Sequence, residues 1–114
     1  MKFFKKEEFD CPCCGKNECV EKLFLALESL RTFLSVPLVV NSGYRCKEHN
    51  EEVGGKPSSF HLQGMAADIS IIGMDGKKRF EVLKYVTVMF NGIGIAKNYI
   101  HLDVRVGPQV MWVY

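Results

Sequence analysis

Residues 99–104 read Tyr-Ile-His-Leu-Asp-Val, and residues 66–71 read Ala-Ala-Asp-Ile-Ser-Ile. Side chains alternate across a β-strand, so the first stretch puts Ile100, Leu102 and Val104 on one face and Tyr99, His101 and Asp103 on the other. In the second, Ala67, Ile69 and Ile71 share the apolar face, and Asp68 stands with Ala66 and Ser70. Each stretch therefore reads as a strand that buries one side and carries polar groups on the other. Small neighbours on either side of Asp68 leave open space for a ligand.

Working outward, Val20, Leu23, Phe24, Leu27, Leu30 and Leu34 recur at three- and four-residue steps, with Glu21, Lys22, Glu28 and Arg31 on the other side. That spacing predicts an amphipathic helix from Val20 to Leu34. Pro37 follows, and Leu38-Val39-Val40 reads as a short strand ending at Asn41-Ser42-Gly43. Lys47 to Val53 reads as a short helix stopped by Gly54-Gly55. A further helix is expected from Lys77 to Phe90, with Phe80, Val82, Leu83, Val86 and Phe90 facing the core. Ile93-Gly94-Ile95 and Val110 to Tyr114 complete the β-type runs. The order and lengths predict an α+β fold, a small, mostly antiparallel sheet flanked by helices on one face.

The chain has 114 residues, with 15 Lys and Arg against 13 Asp and Glu and a formal net charge of +2. This length suits a single domain spanning residues 1–114, with residues 1–19 as a Cys-rich N-terminal arm. So even a charge balance lacks the field that non-specific nucleic-acid binding requires, and no nucleic-acid partner is expected. No apolar run approaches the roughly 20 residues needed to span a bilayer, and the opening MKFFKKEEFDC meets acidic residues before any apolar segment develops. Neither a membrane span nor a secretory signal is expected, so synthesis in the cytoplasm is.

Four of the five cysteines, Cys11, Cys13, Cys14 and Cys19, lie in CPCCGKNEC, and Cys46 stands apart. An odd count without an export signal argues against a disulfide framework. Cys11-x-x-Cys14 has the spacing of half a zinc knuckle, and Cys19 offers a third thiolate, but no second Cys-x-x-Cys follows. Two readings stand: a structural zinc at Cys11, Cys14 and Cys19, or a reduced, cysteine-rich turn that packs the arm onto the domain. A thioredoxin-like redox role is disfavoured, because the motif does not join a strand to a helix.

Gly64 lies between His61 and Asp68 and lets the chain turn, so that a loop imidazole and a strand carboxylate converge. With His101 from the other strand they form a set of two imidazoles and one carboxylate. Three protein ligands leave one position open, the pattern of a catalytic zinc and one suited to amide hydrolysis. Spacing alone leaves the alternative of histidines that are only hydrogen-bonded or exposed.

Several ordered motifs carry more than spacing: Asn41-Ser42-Gly43-Tyr44-Arg45-Cys46-Lys47-Glu48-His49-Asn50, Val53-Gly54-Gly55, Ser59-x-His61-x-x-Gly64-x-Ala66-x-Asp68, Gly92-Ile93-Gly94 and Ile100-His101-Leu102-Asp103-Val104-Arg105. Together, over about Phe9 to Trp112, they resemble the zinc D-Ala-D-Ala carboxypeptidases and related peptidoglycan endopeptidases, best in the compact branch that includes phage and bacterial murein hydrolases. The resemblance implies a hedgehog/DD-peptidase-like fold and one zinc held by His61, Asp68 and His101. It implies that Arg45 receives a terminal carboxylate or backbone carbonyl of a D-amino-acid substrate, a role suited to a bidentate guanidinium. Ser59 falls beside the first zinc ligand, to bond substrate or orient His61. Many relatives carry an acid three residues before the last zinc histidine, where this chain has Asn98. Asp103 is then either the general base or the partner that fixes His101, and His49 reads as a helix-surface or structural histidine. The expected substrate is a peptidoglycan stem or cross-bridge peptide, reached in the wall after release or delivery, as by an endolysin. The rival expectations are a zinc-stabilised wall-binding module without activity and a phage structural component.

Overall fold

The two patterned stretches form the middle of the sheet. In the computed structural model, which describes residues 1–114, β2 (Ala66–Ser70) pairs antiparallel with β4 (Tyr99–Asp103). On the far side of β2 lies β1 (Val40–Ser42), also antiparallel. On the far side of β4 lies β3 (Gly92–Ile95), antiparallel to β4 and parallel to β5 (Val110–Val113). The sheet order is β1-β2-β4-β3-β5. Three of its four pairings are antiparallel and one is parallel, which makes it a mixed, mostly antiparallel sheet in an α+β fold.

Three α-helices accompany the sheet: α1 (Glu21–Phe33), α2 (Lys47–Glu52) and α3 (Gly76–Met89). No side chain caps α1, and the N–H of its N-cap residue Val20 donates instead to Gly64 O. Asp75 caps α3 by accepting from the Lys78 N–H at 2.8 Å, satisfying one of the donors that a helix start leaves free. Leu23, Phe24, Leu27 and Leu30 of α1 and Val82 and Val86 of α3 pack with Ile69, Ile93, Ile100 and Leu102 from one face of the sheet. Phe4 and Phe9 join this same core, Phe9 meeting Phe24 edge-on at 5.0 Å. Full burial of one such side chain contributes about 1.5–3 kcal/mol.

Two expectations need correction. Phe80 does not face the core but is 71% exposed. Val82, Val86 and Phe90 set the buried stripe, and a residue two positions before Val82 falls on the opposite side of a helix with 3.6 residues per turn. The first strand begins at Val40 rather than Leu38, because residue pairing with β2 starts at Val40–Ile69, with Val39 contributing only its carbonyl, which accepts from the Ser70 N–H at 2.9 Å. Leu38 is buried as a core side chain outside the strand, and Val39 is exposed.

Candidate metal centre

With one face covered by α1 and α3, the opposite face collects the polar residues. The register lines up Ser42, Asp68, His101, Gly94 and Trp112 across the five strands, and beside this row lie Ala66, Asp103 and Gly92. The small residues make the arrangement possible. A Cβ on Gly92 would collide with the Asp103 carboxylate, and one on Gly94 would press on the Trp112 indole.

His61 reaches this row from a tight turn closed by Leu62 N–H to Ser59 O, Gln63 N–H to Phe60 O and Met65 N–H to Phe60 O. Gly64 ends the turn at φ +68°, in the left-handed region that favours glycine, and a Cβ there would strike the Glu18 carbonyl. The turn delivers His61 Nε2 to 3.2 Å from Asp68 Oδ1, and β4 delivers His101 Nδ1 to 3.2 Å from the same oxygen. All three residues are buried.

The outer nitrogens fix which atoms face inward. His61 Nδ1 lies 2.8 Å from Gly43 O, and His101 Nε2 lies 2.7 Å from Asp103 Oδ2. A carbonyl and a carboxylate only accept, so in a neutral ring those outer nitrogens can hold the proton, and the inner nitrogens are then free to turn lone pairs to a cation bound beside Asp68. Two lone pairs and an anionic oxygen facing one another call for a cation. Tetrahedral zinc with bonds of about 2.0–2.1 Å places neighbouring donor atoms about 3.3 Å apart, close to the spacing seen. The residues present therefore fit one zinc ion.

With no cation between these groups, burial opposes charge on Asp68, but the inner nitrogens of His101 and His61 donate to it, and these hydrogen bonds outweigh burial and hold its carboxyl well below the usual carboxylate range. Burial also lowers the pKa of His101, yet Asp103 and Asp68 outweigh it and raise the imidazole above its ordinary value. Asp103 is 0% exposed and accepts from Arg105 Nε at 2.8 Å, Arg105 Nη2 at 2.8 Å and the Arg105 backbone N–H at 3.2 Å. Burial raises its pKa, but the Arg105 fork and His101 pull it below the usual range. The Arg105 guanidinium in turn lies over Phe60 and Trp112, with centroid distances of 4.4 and 5.2 Å.

Arg45 approaches from the other side. Its Nη2 donates to Asp68 Oδ2 at 3.2 Å, its Nε to Ser42 Oγ at 3.0 Å and its Nη1 to Asn50 Oδ1 at 3.2 Å. Ser59 Oγ accepts from the His61 backbone N–H at 3.2 Å. Arg45, Ser59, His61, Asp68 and His101 all line one cleft of about 630 Å³, with Tyr99, Trp112 and Tyr114 among its walls. Asp68 is the only Asp or Glu side chain lining it. Asn98 is exposed in the turn between β3 and β4 and does not line the cleft, nor does His49 on α2.

The cysteines gather differently from the expected set. Cys46, not Cys19, joins Cys11 and Cys14. Cys19 packs against the core, where burial pushes its thiol up to about 11. Arg105, Trp112, Asn50 and the Gly43 carbonyl are site residues that motif spacing alone did not assign. A signal for Trp112 was present, since Gly92 and Gly94 leave room on the face that His101 and Asp103 occupy.

Two imidazoles and a carboxylate directed at one point, on the floor of an open cleft, form the donor set of a mononuclear zinc hydrolase. The Peptidase M15 family profile matches residues 2–103, so the chain belongs to the Peptidase M15 family, that of the zinc D-Ala-D-Ala carboxypeptidases. No curated protein matches it significantly.

Proposed function

We propose that this protein is a zinc-dependent peptidase that hydrolyses peptide bonds of D-amino acids in peptidoglycan stem or cross-bridge peptides, with the cell wall as its site of action. The observation that carries this reading is the buried His61–Asp68–His101 set opening onto a cleft whose wall holds the Arg45 guanidinium. When bound, zinc acidifies water and polarises a peptide carbonyl.

The chain's own residues then have separate tasks. His61, Asp68 and His101 hold the ion. Gly43 O and Asp103 keep the two rings in the tautomers that leave Nε2 of His61 and Nδ1 of His101 free, and Arg105 keeps Asp103 ionised and in place. Arg45 has five N–H donors and engages three within the protein, which leaves two for a substrate carboxylate or carbonyl. Ser59 accepts from His61 through its oxygen and retains its own O–H to donate to substrate. Asp103 is a positioning residue in this reading, because His101 and Arg105 use both of its oxygens.

A second reading is a zinc-stabilised wall-binding module that does not cleave. What favours it is that Asp68 is the only Asp or Glu side chain lining the cleft, together with Asn98 at the family's acid position. Digestion of purified sacculi and muropeptides separates the two. New amino groups, with product masses that identify the bond cut and hence a carboxypeptidase or an endopeptidase, support the peptidase. Co-sedimentation with sacculi and no new amino groups supports the binding module.

A further inference from the structure

A second cluster of metal-binding side chains lies outside the cleft. The sulfurs of Cys11, Cys14 and Cys46 all lie within 4.8 Å of one another, and Cys11 Sγ is 3.6 Å from Cys46 Sγ although the two residues are 35 positions apart. We propose that Cys11, Cys14 and Cys46 bind a structural zinc ion as thiolates.

The geometry suits an ion better than a covalent bridge. A disulfide needs about 2.0 Å between sulfurs, whereas two thiolates on one tetrahedral zinc, each at about 2.3 Å, lie about 3.8 Å apart. The loop is also shaped for anionic sulfur. Cys11 N–H to Lys16 O and Gly15 N–H to Cys11 O, both at 2.8 Å, close residues 11–16 into a turn, with Gly15 at φ +74°. The Cys46 N–H points at Cys11 Sγ and the His49 N–H at Cys46 Sγ, each at 3.4 Å.

Such an ion ties the N-terminal arm to the segment that serves the catalytic cleft. Phe9 O accepts from the Tyr44 N–H at 2.9 Å, and a Cβ on Gly43 would collide with the Phe9 backbone. Gly43 O orients His61, and Arg45 directly precedes Cys46, so the thiolate site anchors the backbone behind both.

The test counts metal in the full chain purified under reducing conditions and equilibrated with zinc. The wild type should hold two zinc ions and His61→Ala one. Combining His61→Ala with Cys46→Ser should leave none. Serine is itself a favourable N-cap, so Cys46→Ser keeps an oxygen acceptor for α2. With cobalt in place of zinc, His61→Ala should keep a near-ultraviolet thiolate-to-cobalt charge-transfer band. Cys46→Ser and Cys14→Ser, each on the wild-type background, should lose that band and retain one metal at the histidine site. A His61→Ala protein without metal, a band that survives Cys46→Ser, or a Cys11–Cys46 disulfide in the reduced preparation would overturn the proposal. None of these readouts depends on peptidase activity.

Discussion

Replacing Asp103 by Asn isolates the residue behind the metal ligand. Asn keeps the shape but offers one oxygen acceptor and an NH₂ in place of two anionic oxygens. Asp103 accepts one hydrogen bond from His101 Nε2 at 2.7 Å and two from the Arg105 guanidinium at 2.8 Å each. At 0% exposure no solvent can replace them. If the amide oxygen keeps His101, the NH₂ faces an Arg105 donor. The bond to His101 also becomes a neutral one, and charged hydrogen bonds are worth roughly twice as much. Loss of such a supporting partner typically costs about 10–100-fold in metal affinity, or about 1.4–2.7 kcal/mol. Stranding a fully buried charge costs about 3–5 kcal/mol. Arg105 is partly exposed and can turn toward water, so the loss of folding stability should stay nearer about 2 kcal/mol. Zinc affinity, measured by competition with a chromophoric chelator, should fall 10- to 100-fold in Asp103→Asn, with thermal unfolding as the check on folding. A folded variant with unchanged zinc affinity and no cleavage would refute the positioning role and make Asp103 the general base.

Four further outcomes follow from the same geometry. Gly64→Ala forces a left-handed residue to carry a Cβ against the Glu18 carbonyl, so it should destabilise the fold by more than the roughly 1–2 kcal/mol of the backbone term alone, as read by denaturant unfolding. Gly92→Ala pushes on the Asp103 carboxylate and should cost about 1–3 kcal/mol while lowering zinc affinity, whereas zinc titration at the wild-type affinity would contradict the packing described. Protons and zinc compete for His101 Nδ1, and the raised His101 pKa means that affinity should begin to fall above the ordinary imidazole value of about 6.5 as pH drops, a trend calorimetry can follow. The metal-free protein should behave oppositely: the stability that His101 contributes is fully present below about pH 6.5 and is lost as pH rises through its raised folded value.

Much of this was legible in local pattern. Alternation in residues 66–71 and 99–104 separates the core face from the face that holds Asp68, His101 and Asp103, because a strand has only two sides. The leucine and phenylalanine spacing of residues 20–34 predicts α1 to within a residue at each end. What local pattern could not supply depends on pairing between distant segments. Phe80 reads as core until the phase of α3 is set by contact with α1 and the sheet. Cys46 joins Cys11 and Cys14 only because the arm folds back over Gly43. Trp112 reaches His101, ring centre to ring centre at 5.2 Å, only because β5 runs parallel to β3 at the edge of the sheet. Arg105 reads as an ordinary charged residue after a strand, and its role emerges only with the buried carboxylate it grips.

In the proposed reaction, His61, Asp68 and His101 hold the zinc ion that makes the cleft a peptidase. The most direct measurement pairs zinc content at the histidine site with mass spectrometry of muropeptides after digestion, in the wild type and in His61→Ala. Zinc at that site and cleavage between D-amino acids in the wild type, both lost in His61→Ala, is the predicted result. Undiminished cleavage by His61→Ala would contradict it, as would a zinc-loaded wild type that leaves every muropeptide mass unchanged.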